Sequence, residues 1–217
     1  MPTRADGRLA PRRLNDDARG SHRRRGDGTE TVSNIIIMGP ERVTLGSVVE
    51  LATDTLGGRR TSVDQNEMLR LFEAHREAES ARDIDAILET FVADPFLETV
   101  PLGLRSEGRD AVRAAYEAQF FTGFPDLAPE DEGMACGEDV IVVWGTLRGT
   151  SRGDWLGVPP GGGTFVVPFA NIVPFRQGLM AGETIYFDLA TLCEQARLPL
   201  QEVRAAAAAR RRGVSTP

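Results

Sequence analysis

Residues 139–175 have the sequence DVIVVWGTLRGTSRGDWLGVPPGGGTFVVPFANIVPF, and after a short turn ETIYFD follows at residues 183–188. Two runs rich in Val, Ile, Phe and Thr, each long enough for a β-strand, flank a loop that is rich in Gly and Pro. This pattern predicts a long hairpin with an extended connection, followed at once by a third strand.

One face of the second run is almost entirely apolar, so we expect it to be buried. Its alternate positions hold five large apolar side chains and one amide: Phe165, Val167, Phe169, Asn171, Val173 and Phe175. A buried amide has to bond to protein, water or ligand. We therefore predict that Asn171 lines a ligand pocket, with a bond to a neighbouring backbone group as the alternative.

The composition is that of a globular protein of ordinary size. The chain has 217 residues, of which 41% are hydrophobic. No apolar run approaches the roughly 18 residues of a membrane helix, and no signal-peptide pattern is found. The two cysteines, Cys136 and Cys193, lack metal-ligand spacing. These features predict a cytoplasmic protein with reduced thiols and no membrane partner.

The basic residues restrict the possible mechanisms. All 25 of them are arginines, so the chain has no lysine for a Schiff base or for a phosphate-binding P-loop. The only histidines are His22 and His75. Acid–base chemistry in the folded part must therefore come from Asp, Glu, Tyr, Cys or His75.

The charge distribution suggests three regions. Residues 1–64, which begin with a segment rich in Arg, Asp and Gly, are predicted to be a disordered or weakly ordered extension. Residues 65–200 form the predicted domain, and residues 201–217 a mobile tail. The predicted domain has 10 Arg against 22 Asp and Glu, a net charge of −12. This acidity disfavours nucleic acid as a partner.

The remaining elements follow from periodicity and from turn residues. The pattern predicts helices capped by Asp64 and over Asp83–Val92, Arg109–Phe121 and Leu189–Ala196, with strands at Phe96–Leu102 and, as a polar edge, at Glu130–Gly137. Asp94-Pro95 is expected to end the second helix. The order of elements indicates an α+β fold in which a curved antiparallel sheet wraps over helices.

Four segments in this order resemble the SnoaL-like polyketide cyclases of the NTF2-like superfamily. They are EGRDAVRAAYEAQFFTGFPDL (107–127), GTLRGTSRGDWLGVPPGGG (145–163), PFANIVPF (168–175) and ETIYFDLATL (183–192). The resemblance covers roughly residues 67–198. It implies an NTF2-like cone, in which a strongly curved antiparallel sheet packs on three helices from the N-terminal half and a pocket opens at the mouth. It also implies a homodimer.

The same resemblance implies cofactor-free chemistry on a hydrophobic, oxygenated small molecule. The family's members close a polyketide ring by an aldol reaction, using acidic and histidine groups. Ser151 stands where the family has a histidine, and Asn171 where it often has a pocket aspartate. Both residues that usually carry the chemistry are therefore replaced in this chain. No cofactor and no metal is expected.

The candidate catalytic residues are Asp188, His75 and Tyr186, with Asp126 as a further acid. Each has a structural alternative. Asp188 precedes a predicted helix and could be its N-cap, His75 could be packed on the first helix, and Tyr186 could simply fill the cone with its ring. On this interpretation Glu183, which faces away from Tyr186, is a solvated sheet residue.

The candidate ligand-binding residues are polar or aromatic side chains of the hairpin and its loop: Asn171, Trp144, Thr146, Arg148, Ser151, Trp155, Phe169 and Thr184. On the first strand, the apolar side chains that alternate with Trp144, Thr146 and Arg148 could instead be the ones that face the core. Arg148 could pair with a surface carboxylate. Asp154 and Trp155 could form a lid over the pocket.

Three functions remain open from the sequence. The first is a cofactor-free cyclase or isomerase that transfers protons. The second is a non-catalytic NTF2-like module that binds a ligand or a protein. The third is epoxide hydrolysis, for which Arg148 would supply part of the site. A carboxylate within hydrogen-bond reach of Asn171 or Tyr186 would favour an enzyme.

Overall fold

The computed structural model describes residues 36–38 and 64–213 of the chain. Over these residues the protein is α+β, as predicted. Seven strands form one sheet: β1 (Ile36–Met38), β2 (Phe91–Thr99), β3 (Leu104–Glu107), β4 (Ala128–Cys136), β5 (Val140–Thr150), β6 (Thr164–Arg176) and β7 (Leu179–Phe187). The helices are α1 (Gln65–Ala81), α2 (Ile84–Glu89), α3 (Arg109–Ala115), α4 (Leu189–Ala196) and α5 (Leu200–Gly213), with a 3₁₀ turn at Val100–Leu102.

The strand order in the sheet is β1-β4-β5-β6-β7-β2-β3. All neighbours are antiparallel except β2 and β7, which run parallel. Register shifts interrupt the β2–β7, β4–β5 and β6–β7 pairs. Such β-bulges bend strands and increase their twist, which gives the sheet its curvature.

The two long strands bury the parity that is apolar. On β6 the six alternate residues from Phe165 to Phe175 are all buried, which confirms the predicted face. On β5 the buried residues are Ile141, Val143, Gly145, Leu147 and Gly149, so the alternative parity is the one that faces the core. Hydrophobic burial decides the orientation, because the whole stripe is transferred from water together.

The first two helices begin at aspartate caps, of which Asp64 was predicted. Asp64 accepts a hydrogen bond from the amide of Asn66 at the start of α1, and Asp83 accepts one from Ala86 at the start of α2. The predicted helix over residues 109–121 is present, but its last six residues, Tyr116–Phe121, are π-helical. A π-segment widens the helix and often marks a functional site.

Three predictions about elements need correction. Asp94-Pro95 does not end a helix, because α2 stops at Glu89 and β2 runs through the proline at the bulge between Phe91 and Phe96. There the missing N–H costs no ladder bond. The predicted edge strand is covered by β1 at Met134–Cys136. The packed structure also continues past residue 200, because α5 buries Val203 and Ala207.

The predicted N-terminal extension lies outside the described residues except for β1, so its disorder stays a prediction. Within residues 36–38 and 64–213, no helix combines the length and the apolar character that crossing a membrane requires.

Candidate active site

The sheet and helices enclose a cavity of about 320 Å³. Its walls come from α1, the π-helical segment, the segment before β4 and the buried faces of β5, β6 and β7. The lining residues are Arg76, Glu79, Ser80, Arg82, Tyr116, Phe120, Phe121, Asp126, Leu127, Ala128, Pro129, Leu147, Phe169, Asn171, Glu183 and Ile185. The lining therefore combines eight apolar side chains with seven polar or charged ones and one tyrosine.

Glu183 is the central polar group of this cavity. It lies on β7 with Ile185, another lining residue, on the same parity, and only 1% of it is exposed. Its Oε1 accepts a hydrogen bond from Asn171 Nδ2 at 2.6 Å, and its Oε2 accepts one from the Tyr116 hydroxyl. Both carboxylate oxygens are thus held in place, which fixes the side chain at the wall.

His75 lies behind the cavity wall and is completely buried. The Thr90 hydroxyl donates to the carbonyl of Ile87 at 2.7 Å, so its oxygen accepts from His75 Nδ1, which is 2.8 Å away. His75 Nε2 is 3.2 Å from the Tyr116 hydroxyl oxygen and 3.7 Å from Glu183 Oε2. The imidazole therefore has Nδ1 as a donor and faces the acidic cluster with Nε2.

Glu79 completes the cluster from α1. Its Oε1 is 3.6 Å from His75 Nε2, one helical turn away, and 3.3 Å from the Tyr116 hydroxyl oxygen. Its Oε2 is 3.4 Å from a guanidinium nitrogen of Arg76. Two carboxylates, one imidazole and one phenol thus meet at the inner end of the cavity.

These neighbours change the pKa values of the cluster. Burial alone would lower the pKa of His75, but the charge and hydrogen bond of Glu183, reinforced by those of Glu79, raise it to about 10. Burial raises the pKa of Tyr116 well above 10, and the charges of Glu183 and Glu79 add to the effect. Burial also tends to raise the pKa of Glu79, but the hydrogen bond and charge of His75 leave it below its ordinary value. At neutral pH the histidine is an imidazolium and the tyrosine is protonated.

Asn171 has one satisfied and one unsatisfied end. A carboxylate can only accept, so the amide nitrogen has to be the end that faces Glu183. The amide oxygen Oδ1 is buried and has no hydrogen-bond partner. An unpaired buried acceptor costs about 1–3 kcal/mol. Asn171 therefore fixes Glu183 while its own Oδ1 has no protein partner.

The arginines at the rim are engaged by protein groups. Arg76 donates to Asp131 Oδ1 at 2.8 Å. Arg82 donates to the carbonyl of Leu127 at 2.7 Å and stacks over the ring of Phe121 at 4.7 Å. Arg76 is thus paired with carboxylates, whereas Arg82 donates only to backbone carbonyls.

The comparisons with known proteins agree with this architecture. Residues 68–196 match the family model of the SnoaL-like polyketide cyclases. The chain belongs to the SnoaL-like polyketide cyclase family. No curated protein matches this SnoaL-like chain significantly.

Solved structures of SnoaL-like and NTF2-like proteins share the fold. A SnoaL-like polyketide cyclase candidate from Jannaschia sp. CCS1 is 26% identical, with 66% of this chain and 99% of that chain covered and a TM-score of 0.54. IdmH, a polyketide cyclase candidate from Streptomyces antibioticus, is 19% identical over 60% of this chain and 98% of that one, with a TM-score of 0.51. An NTF2-like protein from Burkholderia pseudomallei K96243 is 19% identical over 60% and 97%, with a TM-score of 0.50. The NTF2-like fold predicted for this chain is confirmed.

Some predicted site residues of the SnoaL-like chain are brought to the cavity. Asn171 and Phe169 line it directly, and His75 lies one layer behind, in contact with Tyr116 and Glu183. Asp126 also lines the cavity, but its carboxylate accepts hydrogen bonds from the amide and hydroxyl of Thr150, both at 2.7 Å. Together with burial, which acts in the opposite direction, these bonds leave its pKa below the ordinary value. Asp126 thus fixes the end of β5.

Other predicted residues lie on the outer face of the sheet. Trp144, Thr146, Arg148, Thr184 and Tyr186 belong to the parity opposite to the buried one and do not line the cavity. Arg148 forms an exposed ion pair with Glu130. It therefore does not supply the arginine of the predicted epoxide hydrolase site. These side chains lie outside because the alternate positions that carry the apolar side chains of each strand face inward.

The loop and helix candidates have structural roles. Asp188 is exposed and accepts hydrogen bonds from the amides of Ala190 and Thr191, as the N-cap of α4. The buried Ser151 hydroxyl accepts from the amide of Gly161 at 3.0 Å and so closes the loop between β5 and β6.

Trp155, predicted to form a lid, is instead buried in the structure. Its indole N–H donates to the carbonyl of Gln119 at 2.8 Å, and its ring packs on Phe124 with the centroids 5.0 Å apart. The tryptophan therefore anchors the loop to the π-helical segment.

Sequence reasoning missed Glu183, Glu79 and Tyr116. The signal for Glu183 was present, because Ile185 and Phe187 share its parity and that apolar stripe had to face inward. The signal for Glu79 was its spacing from His75, four residues along one helix face. Tyr116 lies in the helix predicted over Arg109–Phe121 and was assigned no role in the site.

One set of these groups has the composition of a metal site. His75, Glu79 and Glu183 place ligand atoms within 4.8 Å of one another. A metal-bound imidazole must offer a lone pair. Here Nδ1 donates to Thr90, so Nε2 is the ring nitrogen that a metal ion would need, and without a metal ion the raised pKa of His75 keeps a proton on it. The geometry thus corresponds to an ion-pair network around an imidazolium.

Proposed function

We propose that this protein is a cofactor-independent enzyme of the cyclase or isomerase type, with Glu183 as the general base. The observation that supports this is the buried carboxylate of Glu183, which accepts hydrogen bonds from Asn171, at 2.6 Å, and from Tyr116 at the wall of the cavity. A binding module has no need for a buried, doubly hydrogen-bonded carboxylate, which is costly to keep in an apolar site.

The proposed substrate is a small, neutral, apolar molecule that carries carbonyl groups, such as a polyketide-derived ester or ketone. Apolar lining residues would hold its carbon skeleton. Arg76 and Arg82 beside the cavity already donate to protein groups, which makes them less available to a substrate carboxylate. Membership of the SnoaL-like family supports the same class of substrate.

In the proposed reaction a Glu183 oxygen takes a proton from the carbon next to a carbonyl. The C–H electron pair passes into an enolate, and the negative charge moves from Glu183 to the substrate. In a cyclisation the enolate carbon bonds to a second carbonyl carbon, whose oxygen then takes the proton back. In an isomerisation the proton returns to a different carbon.

The groups around Glu183 would assist this proton transfer by their charge and by their position. The His75 imidazolium, 3.7 Å from Glu183, remains a fixed positive charge while the negative charge moves into the cavity. Fixed charges in a water-poor site stabilise developing anions without reorganisation. Asn171 and Tyr116 orient the base, so that it meets the C–H bond in one geometry.

A substrate-independent test uses nitrobenzisoxazole, a neutral aromatic probe. A base removes its ring proton, the N–O bond breaks, and a coloured cyano-nitrophenolate forms. We expect the full chain to accelerate this elimination, and Glu183→Gln to lower the rate by about 10²–10⁴-fold. Glu107→Gln removes an exposed carboxylate paired with Arg105, far from the cavity lining, and should leave the rate unchanged.

The result that would overturn the proposal is equal activity in the wild type and Glu183→Gln, with both still binding the probe. That outcome would favour the ligand-binding module. Glu183→Asp is a second variant that keeps the charge but shortens the side chain, and an intermediate rate is expected. Circular dichroism checks that each variant is folded.

A further inference from the structure

Two carboxylates line the same cavity and share one hydroxyl group. Glu183 comes from β7 and Glu79 from α1, and the Tyr116 hydroxyl lies within hydrogen-bond distance of both. The hydroxyl has a single proton, so it can donate to only one carboxylate at a time. Its position allows it to turn between Glu183 Oε2 and Glu79 Oε1.

The two carboxylates differ in their access to water. The Glu183 side chain is 1% exposed, whereas that of Glu79 is 21% exposed and contacts Arg76, which in turn binds the partly exposed Asp131. A proton captured by Glu183 has no direct contact with bulk water when a ligand fills the cavity. A proton on Glu79 lies on the less buried of the two carboxylates.

We infer that Tyr116 and Glu79 form a proton relay, which carries the proton taken by Glu183 to the mouth of the cavity. The inference rests on the proposed function of Glu183. It assigns Tyr116 and Glu79 a role beyond orienting the base, namely to connect a buried base with solvent while the substrate is bound.

The relay step is balanced. When Glu183 takes a proton from the substrate, its new O–H donates to the Tyr116 oxygen, and the Tyr116 hydroxyl turns to Glu79 Oε1. The glutamic acid proton moves to the tyrosine oxygen while the tyrosine proton moves to Glu79. Two O–H bonds break, two form, and no electrons are transferred. Glu79 then releases the proton to water.

His75 supports this transfer by its position. Its Nε2 is 3.2 Å from the Tyr116 oxygen and 3.6 and 3.7 Å from the two carboxylates. The charged and titratable groups that face the imidazole are Glu79 from α1, Tyr116 from the π-helical segment and Glu183 from β7. One positive charge thus lies close to both ends of the relay.

A relay of this kind decides whether a substrate proton exchanges with solvent. With the relay, a proton removed from carbon is replaced by one from water before the enolate is reprotonated. Without it, Glu183 returns the same proton. Elimination of nitrobenzisoxazole is irreversible, so it needs the base but not the exchange.

The experiment compares these two reactions on the full chain. The first is the incorporation of deuterium from D₂O into the acidic carbon of β-tetralone, measured by NMR. The second is the elimination of nitrobenzisoxazole, measured by absorbance. The quantity of interest is the ratio of the two rates in the wild type, Tyr116→Phe and Glu79→Gln, with Glu107→Gln as the control outside the cavity.

We expect the ratio to fall on the order of tenfold or more in Tyr116→Phe and Glu79→Gln and to stay unchanged in Glu107→Gln. A variant that merely disturbs Glu183 lowers both rates together and leaves the ratio constant, which would overturn the relay. If Tyr116→Phe does not fold, Glu79→Gln alone decides.

Failure of the proposed function looks different. If Glu183→Gln retained both rates, the base assignment and the relay would fall together. If only the ratios in Tyr116→Phe and Glu79→Gln were unchanged, the relay would fall and the base would stand. Loss of both reactions on chelation with EDTA would also overturn the relay, because a bound cation would then occupy the same atoms.

Discussion

A single buried histidine sets the charge state of the site. Its ring packs edge-on against Phe91 with the centroids 5.1 Å apart, and it has acidic partners on the cavity side. Burial opposes a positive charge there, but two carboxylates outweigh burial and raise the pKa of His75 to about 10. The ion pairs are therefore part of the stability of the fold as well as of its chemistry.

This arrangement predicts how stability depends on pH. The folded-state pKa of His75 is above the unfolded value of about 6.5, so its contribution is fully present below pH 6.5 and is lost as the pH rises towards 10. The free energy of unfolding, measured in urea at pH 6 and pH 9.5, should fall by on the order of a few kcal/mol more in the wild type than in His75→Gln. An equal fall in both proteins would contradict the assignment.

Asn171 should matter for activity more than for folding. Asn171→Leu removes the donor that fixes Glu183 Oε1, but it also removes the unpaired Oδ1, so the two effects on stability oppose each other. We expect the variant to fold and to lose about 10²-fold in the rate of probe elimination, because the base is misplaced. Ile172→Ala, on the outer face of the same strand, is the control. Normal rates in Asn171→Leu would remove Asn171 from the site.

At the scale of elements, the N-cap of α4 is Asp188, which the sequence also offered as a catalytic acid. Asp188 accepts hydrogen bonds from two amides and from the Thr191 hydroxyl, and these bonds lower its pKa. Asp188→Ala should lower the melting temperature by about 2–4 °C without changing probe elimination, whereas Asp188→Ser keeps the cap and should behave like the wild type. A specific loss of elimination in both variants would restore Asp188 as a catalytic residue.

The strands show how far the sequence could predict the site. Alternation on β6 was enough to place Asn171 on the buried face, because five of its six stripe members are large and apolar. On β7 the same reasoning would have turned Glu183 inward with Ile185, but a lone carboxylate in the stripe suggested solvent. What no pattern could supply is the set of partners that make this burial tolerable, since Tyr116, His75 and Asn171 come from three other elements.

The connection between α2 and β2 shows a detail of the fold that the sequence could not predict. A proline after an aspartate is a strong helix-stop signal, and the helix does stop early, at Glu89. The sequence does not reveal that Pro95 lies at a bulge. The bulge depends on the parallel pairing of β2 with β7, which is distant from β2 in sequence. Contacts that are distant in sequence decide such details, whereas local patterns decide where elements exist.

At the scale of the whole molecule, the outer face of the sheet has a defined apolar stripe. Trp144, Ala170 and Tyr186 are direct cross-strand neighbours on β5, β6 and β7, and Ile172 adjoins them. Tyr186 is 43% and Ile172 36% exposed. Side chains that were predicted from sequence to contact a ligand therefore lie on this outer surface. An apolar surface with a small residue at its centre suits a second copy of itself.

This surface carries the prediction of a homodimer, which the family resemblance also implies. Ala170→Arg would place a long cation at the centre of the stripe, between Trp144 and Tyr186, where a partner chain could not bury it without a counter-charge. We expect the wild type to sediment with the mass of two chains at micromolar concentration and Ala170→Arg with the mass of one. Glu107→Arg, at an exposed position on β3, should remain dimeric. Because the cavity lies on the opposite face of these strands, the monomeric variant should keep probe elimination, and its loss would mean that the partner contributes to the site. A wild type that sediments as a single chain would refute the dimer and leave the stripe without a partner.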